Sequence, residues 1–283
     1  MPARPTISYH ASLAGQADIG WHASLQVARD AGFVAIDVIL PDVAEPAPDR
    51  TANATPLAGL LAGPASLPVE FRLSEDRFTR DLALLPELAA VTGRLGVKTM
   101  YRSIPASSDT PARELCPILR RRVSLCASVL AEHGIGFAVE VLGPLHRRTE
   151  GSHEFIWRLG DGAEFASSCG PGVGLLVDSW HWHHGGGTAR EITDVAGEIL
   201  HVHVADAPDL PPAAIRDDQR LLPGEGVVSF EIFLGALAST GYSRMISPEI
   251  RGYRCDADTV SCAAGALNAV ERELDRHFLV VHP

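Results

Sequence analysis

Eight times along this chain a short aliphatic run is followed by a stretch with helical spacing, and this alternation constrains the fold more than any other feature. The runs are Thr6 to Tyr9, Phe33 to Val38, Leu67 to Arg72, Val97 to Arg102, Ile135 to Val141, Val173 to Asp178, Ile199 to Ala205 and Arg244 to Ile250. Each is nearly continuous in apolar residues, as strands covered on both faces are. Between them, Asp18 to Ala31 places Trp21, Leu25 and Ala28 on one stripe and stops at Gly32. Asp76 to Leu95 and Leu115 to His133 repeat the pattern, with Pro86 and Pro117 predicting kinks. Further helices are expected at His153 to Ser167, Ala189 to Val195, Phe230 to Thr240 and Asp258 to Phe278. Thr55 before Pro56 reads as an N-cap, and Pro41 to Ala54 as irregular loop. Strict alternation implies a parallel sheet with helices outside. Eight units in 283 residues predict a single-domain (β/α)8 TIM barrel over residues 1 to 283. The first strand-to-helix turn lacks GxGxxG, so a dinucleotide fold has no support.

Composition narrows the partners. A formal charge of -11 disfavours a phosphate backbone, which needs clustered Lys and Arg, so nucleic acid is not expected as a partner. The trio Arg120, Arg121 and Arg122 reads as a solvated helix face. Five widely spaced cysteines with no CxxC predict small reduced core residues rather than a disulfide framework. The N-terminus has no apolar leader core and no run is long enough to span a bilayer, so a cytoplasmic protein without membrane contact is expected. The apolar tail Phe278 to Val281 offers a surface for the barrel or for a second copy, so a homo-oligomer is compatible with the sequence.

In a barrel of this kind the reacting groups sit at the C-terminal ends of the strands. Strand five ends in Glu140, strand six in Asp178, strand seven carries His201 and His203 before Asp206, and strand eight ends in Glu249. Ala138 and Glu140 share a face, as do Leu176 and Asp178, His201 and His203, and Ser247 and Glu249. If that face points inward, the polar residues converge above the barrel, and carboxylates crowded there without a partner would be costly. One divalent cation removes that cost. A set rich in carboxylate oxygen suits Mn²⁺, Mg²⁺ or Co²⁺ better than sulfur-rich or multi-histidine sites do.

Glu140, Asp178 followed by His181, HxHxxD at His201 to Asp206, LLPGEG at Leu221 to Gly226 and PEI at Glu249 together resemble the xylose isomerase-like TIM-barrel superfamily. Within it the chain is most similar to sugar phosphate isomerase/epimerase proteins of the ketose 3-epimerase and inosose dehydratase type. The resemblance implies that Glu140, Asp178, His203 and Glu249 hold one metal ion, Mn²⁺ first, with Mg²⁺, Co²⁺ and Zn²⁺ as alternatives. It also implies that His181 binds substrate and that Glu140 and Glu249 serve as catalytic bases as well as ligands. The chain departs from the epimerase pattern after strand five, where Val141 to Pro144 replace a polar segment and His146 stands near the place of a second Glu.

The expected chemistry is proton transfer through an ene-diolate in a small ketose or keto-polyol, one Glu removing the proton and the other returning it. The same intermediate can expel a neighbouring hydroxyl, so a dehydratase of an inosose-like or keto-acid substrate is the alternative. His181, His146 or Arg220 would then serve as the acid, or in an isomerase as hydroxyl-binding groups. Arg220 has a plainer reading as a loop salt bridge with Asp217 or Asp218. Arg102 is a candidate for a carboxylate or phosphate, Trp182 for the pocket wall, and Pro223 to Gly226 for a phosphate cradle. Tyr9, His10, Asp37 and Arg72 also fall at or near strand ends. An endonuclease IV-like DNA repair enzyme is ranked lower, because Gln219 and Arg220 follow Asp218 where that cluster needs Asp-x-His. An inactive sugar-binding barrel would be expected to lack a carboxylate, and this chain keeps the full set.

Overall fold

A computed structural model describes residues 4–15, 19–40 and 57–278. Eight parallel strands form a closed barrel, each paired with the next in sequence and the last with the first. They are β1 (Thr6–Tyr9), β2 (Ala35–Val38), β3 (Leu61–Ser66), β4 (Thr99–Ser103), β5 (Gly136–Glu140), β6 (Val173–Asp178), β7 (Ile199–Val204) and β8 (Met245–Pro248). The main outer helices are α1 (Gly20–Asp30), α2 (Glu75–Leu95), α3 (Ala112–Ala131), α4 (Leu159–Cys169), α5 (Ser179–His184), α6 (Ala189–Asp194), α7 (Phe230–Ser239) and α8 (Thr259–His277). The barrel expectation therefore holds, and seven of the eight strands lie where apolar runs predict them.

The third strand does not. It is LAGPAS at Leu61–Ser66, ahead of the expected Leu67 to Arg72. Leu67, Val69 and Phe71 are fully buried, which produces the alternation, but they belong to a loop folded over the mouth. Pro68 has no N–H for a ladder. The real strand is poor in β-formers because it faces a crowded interior: a Cβ on Gly63 would lie 2.4 Å from Ser8 Oγ, 2.6 Å from Asp37 Oδ1 and 2.9 Å from the Ile36 carbonyl oxygen. Those atoms are part of a polar layer across the barrel. Ser8 and Ser247 both donate to Asp37 Oδ1, at 2.6 and 2.9 Å, and His201 Nε2 lies 3.0 Å from Ser247 Oγ. Gly63→Ala is accordingly expected to destabilise the fold by about 1–3 kcal/mol. An unchanged urea midpoint would show that the layer gives way freely.

Other differences are local. Residues 153–154 pair antiparallel with Ser107–Ser108 as a small ribbon, and the predicted helix at 153 begins only at Leu159. Pro86 and Pro117 lie inside α2 and α3. Cys255 and Cys262 form a disulfide with Cα atoms 5.9 Å apart, which corrects the reading of all five cysteines as reduced. Asp258, the N-cap of α8, turns the chain so that residues seven apart meet without a CxxC spacing. Cys116, Cys126 and Cys169 are free thiols. The Thr55 cap, the loop after Pro41 and the tail past Phe278 lie outside the described residues. Among the described residues no helix is long and apolar enough to cross a membrane.

Candidate metal centre

At the C-terminal end of the strands, four side chains point at one spot. Glu140 ends β5, Asp178 ends β6, His203 lies in β7 and Glu249 follows β8, with relative exposures of 7, 2, 0 and 2%. His203 Nδ1 lies 3.8 Å from Glu140 Oε1, 4.0 Å from Asp178 Oδ2 and 3.6 Å from Glu249 Oε2. One donor atom from each residue falls within 4.8 Å of all the others. Glu140 Oε1 and His203 Nδ1 are buried without a hydrogen-bond partner. Two orphaned donors, converging with oxygens of Asp178 and Glu249 on a common centre, make a ligand set of three carboxylates and one imidazole that fits a hard divalent cation.

The electrostatics carry the same strain. Burial, with Glu249 and Asp178 beside it, pushes the Glu140 carboxyl up to about 8. Burial opposes charge on Glu249 too, but the Arg220 and Arg251 guanidiniums outweigh it and hold that carboxyl well below the usual range. Burial also works against a proton on His203, yet Glu249, Glu140 and Asp178 hold its imidazole above the ordinary value.

Asp178 shows how the local sequence builds the site. Its Oδ1 accepts from the N–H groups of Trp180 and His181 at 2.7 and 3.3 Å, capping α5, while Oδ2 faces the cluster. The spacing from Asp178 to His181 thus has a physical reason: the acid that ends the strand also starts the helix carrying the histidine. His181 Nε2 lies 3.2 Å from Arg220 Nη2, and burial lowers its imidazole to about 4. Arg220 is paired with neither Asp217 nor Asp218. Its Nη1 lies 2.7 Å from Asp178 Oδ2 and 2.8 Å from Glu249 Oε2, and its guanidinium stacks 4.8 Å over Trp180.

The segment carrying Arg220 is held by Asp206. That buried carboxylate accepts from four backbone N–H groups, of Ala207, Gly224, Gly226 and Val228, at 2.8 to 3.0 Å. Asp206 and Leu221 exchange backbone hydrogen bonds of 2.9 Å in both directions, which sets Arg220 over the mouth. The glycine-rich turn is therefore filled by the protein's own acid, and the expected phosphate cradle is corrected. Gly226 must be glycine here, since a Cβ would fall 2.1 Å from the Ala207 carbonyl oxygen.

The remaining candidates divide. Arg102 lines the mouth, paired to Glu70, and Arg72 does so from a loop rather than a strand end. His146 is turned toward Asp217, 3.5 Å away, on the rim rather than at the donor cluster. Trp182 packs on Phe233 with ring centroids 5.3 Å apart and donates to the Thr188 carbonyl, so it belongs to the helical layer and not to the pocket wall. It directly follows His181, about 100° further around the helix, which turns it outward. Residues not singled out from sequence include Trp180, Arg251 and Tyr101, whose ring stands edge-on to His203 at 5.0 Å. Only the position of Tyr101 near the end of β4 could have signalled it.

Residues 25–273 match the xylose isomerase-like TIM barrel family. The chain belongs to that family. Among curated proteins, the inosose isomerase of Bacillus licheniformis is 32% identical over 79 residues, 28% of each chain. The 3-dehydroshikimate dehydratase of Pseudomonas putida is 31% identical over 124 residues, 42% of this chain and 19% of that protein. Among solved structures, a xylose isomerase domain protein from Alicyclobacillus acidocaldarius superposes with a TM-score of 0.84 at 27% identity, covering 96% of this chain and 99% of that one. The matched stretches thus span less than a third of these two curated relatives.

Proposed function

We propose that this family member is a metal-dependent sugar isomerase or epimerase acting on a small ketose or keto-polyol. The observation that carries the reading is the convergence of Glu140, Asp178, His203 and Glu249, two of whose donor atoms have no other partner. These four would hold one divalent ion, Mn²⁺ first, with Mg²⁺, Co²⁺ or Zn²⁺ as alternatives. Bound there, it would supply Lewis-acid polarisation of a carbonyl and its neighbouring hydroxyl.

The chain's own groups do the rest. Glu140 ends β5 and Glu249 follows β8, on different staves of the barrel, so one removes the proton from the hydroxyl-bearing carbon next to the carbonyl and the other returns it. Arg220 and neutral His181, 3.2 Å apart, orient the substrate oxygens and offset the negative charge that develops on them. The short buried strands hold these groups on a rigid frame. In this reading the barrel is one domain working in the cytoplasm on a soluble substrate, without nucleic acid or membrane. The dehydratase relative keeps elimination of water as the second reading.

Incubation with Mn²⁺ and a panel of ketoses and inososes in D₂O tests both. Deuterium entering the carbon next to the carbonyl, in recovered or epimerised sugar and abolished by EDTA, is the expected result. Loss of water with a new enone absorbance selects the lyase. No exchange and no elimination at full metal loading overturns the proposal.

A further inference from the structure

The cavity above the donor cluster, about 380 Å³, is walled by Arg72, Arg102, Arg147, Arg220 and Arg251. These five guanidiniums face three carboxylates in the same lining, Glu140, Asp217 and Glu249, in a chain of net charge -11. Some are neutralised: Arg147 pairs with Asp217, and Arg220 and Arg251 lean on Glu249. On the β3–β4 side the balance fails. Arg72 donates Nε and Nη2 to Glu70 at 2.7 and 2.8 Å, and Arg102 Nη2 binds the same carboxylate. Two guanidiniums thus share one acid. Arg102 Nη1 spends itself on the Leu67 carbonyl oxygen at 3.1 Å, and its Nε is buried without a partner.

Neutral sugar hydroxyls would not need this surplus, and two guanidiniums with side chains 31 and 25% exposed that share the single carboxylate of Glu70 leave positive charge open to a ligand. The charge that develops during enolisation is met elsewhere, by Arg220 beside the donor cluster. Resting on the proposed enolisation, we infer that the substrate carries a fixed anionic group, a carboxylate or phosphate, held by Arg102 with Arg72 at the β3–β4 side of the mouth. Planar arginine forks match such groups better than any other side chain.

Calorimetry on the Mn²⁺-loaded protein with two matched pairs tests this: 3-dehydroshikimate against inosose, and D-fructose 6-phosphate against D-fructose. In at least one pair the anion is expected to bind about 10- to 100-fold tighter. The pair that shows the preference says whether the group is carboxylate or phosphate. Arg102→Met should bring that ratio to about one and Arg102→Lys should keep part of it, because charge without the fork is retained. Arg72→Met serves if Arg102→Met does not fold. A ratio near one in both pairs, or equal weakening of both members by Arg102→Met, overturns the inference. Deuterium exchange measured alongside separates the two ideas. Anion preference without exchange removes the isomerase reading and leaves this one, whereas exchange indifferent to charge does the reverse.

Discussion

Glu249→Gln is expected to lower proton exchange by about 10⁴-fold or more, because the proposed base and a proposed ligand for the cation are lost together. Metal retained after gel filtration should fall with it. The same change should also weaken the fold, since Glu249 accepts from Arg251 and holds Arg220, which is 4% exposed. Neutralising one partner of a buried charge group costs up to about 3–5 kcal/mol. Asp178 still faces Arg220, so the lower part of that range applies. Glu140→Gln provides the contrast. Its Oε1 has no partner and, among the described residues, no arginine is paired with it, while burial beside Glu249 and Asp178 already keeps the carboxyl protonated up to about 8. Activity should therefore fall as steeply as in Glu249→Gln, but the metal-free melting temperature at pH 7 should hold or rise. Equal loss of stability in both variants would show that the two carboxylates share the arginine load.

Asp206→Ala carries the largest expected effect on stability. Four backbone donors lose their acceptor at once, three of them in the turn 224–228 that follows Arg220. Hydrogen bonds to a charged acceptor contribute about 1.5–3 kcal/mol each, and their loss is not additive, so about 3–5 kcal/mol is expected in total. Differential scanning calorimetry should record a drop of roughly 10 °C. Activity should fall as well, since the Asp206 carboxylate holds the turn 224–228 that follows Arg220 in the chain. A variant that melts as wild type but loses activity would leave Asp206 a local role only.

Much of this architecture was legible in the chain because strand ends carry chemistry that strand interiors avoid. Acids at Glu140, Asp178 and Glu249 and a histidine at His203 interrupt apolar runs where packing alone gives no reason for them. The third strand was not legible, because alternation reports burial on one face and a mouth-covering loop buries Leu67, Val69 and Phe71 as well as a strand would. Arg220 and Trp180 were hidden for another reason. Their partnership joins residues forty positions apart, set by the Asp206 turn, and no local spacing encodes it. Trp182 misled because its neighbour His181 does face the site, and a helix sends adjacent residues in different directions.

Asp178 is spoken for at both oxygens, one gripping the start of a helix and the other turned to the donor cluster. It cannot rotate to suit one obligation without abandoning the other. The helix bearing His181 is thereby locked in phase with the donor cluster, so in the proposed reaction the imidazole would stand ready before any substrate arrives, with little rearrangement left for the moment of reaction.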